Sequence, residues 1–294
     1  MQIPKPQLLA LLLSLIVLQL SGQDLKLLEF SYSNYPTTDI SESPFSETAS
    51  IQEYQVAIRV PMVLKDNKWI LLHSGVYGIV LPDVEPNTAA EDQNLHFIGY
   101  SLTVIKPLNQ KRQLIGVIQP AISSQLDQKL SGDDFLYLGS LALSTSINKN
   151  TRWTAGIAFT SRFGRPLVIP LFGFDKKWSR SKLSILFPNK AEWYWISKDK
   201  AWEIGPKMVL NGSQFNLATG TRTPYDNVQF SRVNLGLNIN RAVGKSGLFL
   251  NAFSGIAAGR TYDIISESLP DIDFSSDPGP VISFGLFFRP SIEK

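Results

Sequence analysis

Two histidines, His73 and His96, are the whole imidazole complement of this 294-residue chain. A lipase or acyltransferase working at a bilayer surface needs serine, histidine and a polar orienter close together. Serines are plentiful, but there is no Gly-x-Ser-x-Gly elbow, and neither histidine falls in a loop rich in partners. His96, at the start of a strand, is expected to be interfacial, and no catalytic residue is assigned. Carboxylates offer a second chemistry. Asp263, Glu267, Asp271, Asp273 and Asp277 share one stretch, and spaced carboxylates can hold Ca²⁺ through oxygen. The Asp-Ile-Asp at 271–273 lacks the glycine and terminal glutamate of an EF-hand loop. The plainer reading is a solvated loop whose charge discourages aggregation, or one bridged by divalent ions to lipopolysaccharide phosphates. No metal or cofactor is assigned.

A third set is polar and scattered: Glu53, Arg59, Glu203, Lys207, Arg232, Asn234, Asn238, Arg260 and Arg289. Each stands on the polar side of a segment whose other side is apolar. Two roles compete. The charges pair and plug a narrow interior, or they line a wet passage and set its ion preference. A fourth set is aromatic: Trp178, Trp193, Trp195 and Trp202 fall within twenty-five residues, beside Tyr194. In a membrane barrel this is a candidate interfacial girdle. In a soluble protein it would be core or a carbohydrate platform.

The elements that must position these residues are strands. Val281 to Pro290 sets Ile282, Phe284, Leu286 and Phe288 against Ser283, Gly285 and Arg289. Side chains alternate faces along a strand, so one face is greasy and the other small or polar. Tyr54, Val56, Ile58, Val60 and Met62 alternate with Glu53, Gln55, Ala57 and Arg59 in the same way. Val233, Leu235, Leu237 and Ile239 face away from Arg232, Asn234, Asn238 and Asn240, a polar face odd for a soluble core but suited to a wet interior. The phase slip between Phe230 and Val233 predicts a bulge. A turn is expected at Gly244-Lys245-Ser246-Gly247 and another at Asp66-Asn67-Lys68. The stretch 167–197 is interrupted by Pro170 and Pro188, which strands tolerate only at edges and bulges.

Composition fits this picture. The chain is 44% hydrophobic and only 18% charged, below the ~25% usual in soluble domains. A net charge of +3 gives no footprint for nucleic acid. The absence of cysteine excludes disulfides, thiolate metal sites and a lipoprotein anchor. Lys5, the apolar run Leu8 to Leu20 and Ser21-Gly22 have the layout of a secretory signal, cleaved after Gly22, with a barrel domain over 23–294. The apolar run is too short for a membrane helix, which needs about 20 residues.

Counting segments gives twelve to fourteen strands, an even number as single-chain bacterial barrels require. The connections alternate. Those near 65–68, 108–112, 147–151, 175–182, 198–200 and 241–246 are short and basic; those near 36–50, 82–94, 126–134, 213–226 and 263–280 are longer and mostly acidic. Short periplasmic turns against long outer loops is the outer-membrane pattern.

The chain also resembles uncharacterised outer-membrane β-barrel proteins common in Bacteroidota, known only as a domain of unknown function. Leu28-Glu29-Phe30-Ser31-Tyr32, Ile169-Pro170-Leu171-Phe172-Gly173-Phe174 with Trp178 and Pro188, and Phe284-Gly285-Leu286-Phe287-Phe288 carry the resemblance. It implies an all-β, antiparallel transmembrane barrel with no assigned substrate. The expected partners are outer-membrane lipid, lipopolysaccharide and the barrel-assembly machinery. The expected role is structural, or passive passage of small solutes without chemistry. The rival is a secreted, soluble all-β protein binding glycan at the tryptophans.

Overall fold

The computed structural model describes residues 25–41, 48–64, 69–85, 94–127, 129–160, 167–217, 225–266 and 270–290. The signal segment, the 65–68 turn and Glu267 lie outside them. The period of two becomes strands throughout. The first seven are β1 (Leu28–Ser41), β2 (Thr48–Val63), β3 (Ile70–Glu85), β4 (Leu95–Pro107), β5 (Arg112–Ser124), β6 (Phe135–Asn148) and β7 (Thr151–Thr160). Then come β8 (Leu167–Lys177), β9 (Ser181–Phe187), β10 (Lys190–Ile196) and β11 (Trp202–Asn216). The chain closes with β12 (Asn227–Ala242), β13 (Leu248–Ile265), β14 (Ile272–Ser276) and β15 (Gly279–Phe288). Among the described residues the one helical element is a single 3₁₀ turn, Gly132–Asp134.

Each strand from β1 to β13 pairs antiparallel with the next. The ring closes where β15 runs between β13 and β1, with Leu28 opposite Phe288 and Phe30 opposite Leu286. The short β14 fills the same gap further along, pairing with β13 at 260–264 and with β1 at Ile40 and Ser41. Counting β14 and β15 as one interrupted strand, the described residues make a closed antiparallel barrel of fourteen strands. Closure leaves no unpaired edge to lipid over most of the wall, which a bilayer demands of any sheet.

The faces fall as the alternation requires. Ile282, Phe284, Leu286, Val56, Ile58, Leu235 and Leu237 point outward and are exposed. Apolar exposure on this scale around a whole perimeter is what soluble monomers avoid. It is a lipid-facing surface, and the barrel is transmembrane.

Two expectations need correction. The strands are longer than the alternation of the apolar face suggests: β1 continues through Pro36 to Ser41 and β3 runs to Glu85. Their ends carry polar side chains, yet still hydrogen-bond as ladders, so 36–41 and 48–50 of the first long connection and 82–85 of the second are strand. The region 167–197 holds β8, β9 and β10, the last two of seven residues each, in keeping with the higher of the two strand counts. The bulge lies on β13, not β12. Ser231 opposes Thr261 while Val233 opposes Ala258, so the extra residue is at Gly259–Arg260, and Gly259 takes φ +58°. Strand β12 keeps its phase, and Phe230 simply points inward. The 244–247 turn has Gly244 at φ +60° and Gly247 at φ +81°, both in the region glycine favours.

Candidate functional site

Inward-facing residues divide the interior into two levels. At the long-loop end Tyr35, Ile51, Val80, Leu95, Phe215, Phe230, Phe253 and Val281 form one buried apolar cluster. Every member comes from β1–β4, β11–β13 or β15, or from Leu217 just past β11. None comes from β6–β10. Beside it, Arg232 is ion-paired to Glu53, stacks over the Tyr35 ring at 3.9 Å and leaves Tyr35 to accept from Asn234 Nδ2 at 2.9 Å. Arg260 is also buried and donates to Thr38 at 2.5 Å and to the Tyr262 hydroxyl at 3.2 Å. The lumen is therefore filled at this level by its own side chains.

At the short-turn end the interior is ionic. Glu203 accepts from Arg289 Nη2 at 2.7 Å, Lys182 Nζ at 3.1 Å and Asn240 Nδ2 at 3.0 Å. Asn238 bonds the Tyr194 hydroxyl at 2.9 Å, and Asn251 links Asn238 to Asn240. Glu29 pairs with Lys26 and Arg59 at 2.6 and 3.1 Å. Lys207 stands in register with Glu192 on the same inward face, and Lys190 pairs with Glu192 at 2.8 Å. The nine polar residues marked in the sequence thus all point inward, split between the two levels.

Tyr194 does not belong with the tryptophans. It is 4% exposed and faces the lumen, because it lies between Trp193 and Trp195 in a strand and must take the opposite face. All six tryptophans, including Trp69 and Trp153, are exposed on the outer wall toward the short-turn end. Lys106 covers Trp69, Lys176 covers Trp178 and Arg241 covers Trp202 at about 5 Å, as cations do at a membrane rim. His73 and His96 are also on the outer wall, bonded to Tyr100 at 2.7 Å and Tyr77 at 3.0 Å. Asp263 faces Asp273 across β13 and β14, and Asp271 accepts from the Ser266 amide. Among the described residues no three carboxylates or histidines gather as a metal-holding group.

Sequence reasoning missed one feature. Strands β9 and β10 stop short, so Leu167–Leu171 of β8 pair with β7 alone, and β11 above Leu210 pairs with β12 alone. Freed there, β11 crosses the interior and makes a parallel bridge from Asn216 to Ser124 of β5. Ser123 Oγ donates to the Gln214 carbonyl, the Gln125 amide to the Asn216 carbonyl at 3.3 Å, and Asn216 Nδ2 to Asp134 at 2.9 Å. Burial works against the Asp134 carboxylate, but hydrogen bonds from Ser124, Asn216 and Ser131 outweigh it and hold its pKa below the usual value. The clasp divides the barrel. The packed cluster lies on one side of β11, and a compartment walled by β5–β8 lies on the other.

A family described as a domain of unknown function, DUF6268, matches residues 17–292. The chain belongs to this family. No curated protein matches this DUF6268 member. Among solved structures it is similar to the beta domain of the Bordetella autotransporter BrkA, at 10% identity and a TM-score of 0.36, covering 89% of this chain and 98% of that one. The translocator domain of autotransporter NalP from Neisseria meningitidis gives 11% and 0.36 over 97% and 95%. A Pseudomonas aeruginosa FadL homologue gives 9% and 0.40 over 89% of each. The barrel of this DUF6268 member is established by its own strand pairing.

Proposed function

We propose that the protein stands in the bacterial outer membrane as a barrel with a closed lumen, and that its role there is structural rather than that of an open diffusion pore. The observation that carries this is the apolar cluster around Tyr35, Phe215, Phe230 and Val281, which packs the interior between β1–β4 and β11–β15 at the long-loop end. Fourteen strands enclose room for a passage, but the inward crossing of β11 removes it. The long-loop end faces outward and the short, tryptophan-rimmed end faces the periplasm. A cleaved signal over 1–22, insertion by the barrel-assembly machinery, lipopolysaccharide as neighbour and a Bacteroidota-type source belong to the same reading. No chemistry is assigned, since both histidines hydrogen-bond to tyrosines on the lipid side.

Planar-bilayer recording tests it. The refolded protein gives no steady ohmic steps, and the Phe215→Ala/Phe230→Ala double variant gives measurable current. Steady conductance from the unaltered protein would overturn the closed-lumen reading in favour of passive solute passage.

A further inference from the structure

We propose that the compartment between β8 and β11 is a binding site for an acyl chain that enters sideways from the bilayer. The wall is split where β9 and β10 end, and the turn at Pro188–Asn189 floors the split. Behind it lies a cavity of about 310 Å³. Val117, Leu138, Ala158, Ile169 and Leu171 line it from β5–β8, and Leu210 lines it from the far wall on β11. Leu210 has the outward parity of Met208 and Ile204, yet the crossing of β11 turns that outward face onto the inside of β6–β8.

The chemistry of the occupant follows from what surrounds the opening. The lips carry Val168, Phe172 and Phe187, which are 68%, 43% and 57% exposed on the lipid side. The medium at the entrance is therefore hydrocarbon, and a mainly apolar cavity continuous with hydrocarbon takes hydrocarbon in preference to water. At roughly 30 Å³ per water-sized group, the cavity holds on the order of ten such groups: a length of chain, not a whole lipid. Gln119, Ser140, Thr160 and Asn189 supply the polar side chains in a mainly apolar lining, as in a small-molecule site, and Gln119 and Asn189 can meet a carboxylate or ester oxygen. The separation of this compartment from the apolar cluster lets it open and fill without unpacking the lumen.

Photo-crosslinking tests the site on the full-length chain, with the two faces of β8 as its internal reference. The protein is placed in phosphatidylethanolamine nanodiscs containing a diazirine-tailed phospholipid; in a parallel arm, diazirine palmitate is added to unlabelled nanodiscs. Ordinary lipid contact labels the outward residues Val168 and Phe172. Occupancy of the compartment labels the inward residues Ile169, Leu171 and Leu138 as well. Inward labelling from the phospholipid assigns the bilayer as the source; inward labelling from palmitate alone assigns a free fatty acid. Ala158→Phe, which fills the cavity, abolishes inward labelling and keeps outward labelling, and Leu210→Trp does the same from the opposite wall. Outward labelling without inward labelling in either arm overturns the site. Loss of outward labelling in the unaltered protein overturns the membrane reading on which the site rests.

Discussion

At the scale of single residues the interior depends on charges that cannot be left alone. Arg232 has a side chain only 3% exposed, and Glu53 is its ion-pair partner. Breaking a buried pair by removing one partner costs about 3 kcal/mol or more, because the remaining charge stays desolvated. Glu53→Gln is therefore expected to lower the urea midpoint of the barrel in lipid vesicles, while the double change Glu53→Gln/Arg232→Met recovers much of the loss. If the single variant unfolds like the parent, Arg232 has another partner. Glu203 is the corresponding residue at the other level, where it is shared by Arg289, Lys182 and Asn240. His73 and His96, given no catalytic role from the sequence, pair with tyrosines across β3 and β4.

At the scale of elements the clasp between β11 and β5 and the seam between β10 and β11 decide the shape. Asp134 holds the clasp as a carboxylate, accepting from Asn216 Nδ2 at 2.9 Å and from the Ser131 amide at 2.6 Å. Its folded pKa lies below the ordinary 3.8. The stabilisation is thus present above the ordinary value and is lost as pH falls through the lower folded one. Hydrogen-exchange protection of Gln125 and of 131–134 is expected to hold at mildly acidic pH and to fall only well below 3.8. Asp134→Asn should show the reduced protection already at neutral pH. At the seam, a Cβ on Gly205 would sit 1.7 Å from the Trp193 carbonyl oxygen. Gly205→Ala must push β10 off β11, at a cost of about 1–3 kcal/mol. The expected sign is lower thermal stability with heat-modifiable gel migration retained; an unchanged melting temperature would show that the strands separate freely.

At the scale of the whole molecule, the closed end and the ionic end have different consequences. Lys26, Arg59, Lys182, Lys190, Lys207 and Arg289 face the short-turn half of the interior, against Glu29, Asp175, Glu192 and Glu203. Cations are in excess there. Current through the Phe215→Ala/Phe230→Ala variant is therefore expected to prefer anions, read as the sign of the reversal potential in a salt gradient. Cation preference would mean that the conducting path avoids this half.

Much of this barrel was legible in the sequence. Alternation along Tyr54–Met62, Val233–Ile239 and Ile282–Phe288 assigned both faces of their strands, because a period of two is a property of the backbone itself. Glycines at 244 and 247 marked their turn, and the tryptophans fall on the outer face. The alternation also held the evidence that Tyr194 faces away from Trp193 and Trp195, although its clustering with them suggested a girdle. Alternation says which face is inward but not what the inward face meets. Whether Phe215 lines a channel or packs against Phe230 depends on β11 reaching Ser123, ninety-one positions from Gln214. That contact depends on β9 and β10 ending early, on Pro188 and Asn189 turning the chain, and on Leu210 facing the inner side of β6–β8 across the compartment. These are long-range packing choices with no local signature. Strand and face were therefore set by the sequence locally, and plug, clasp and side compartment only by the folded whole.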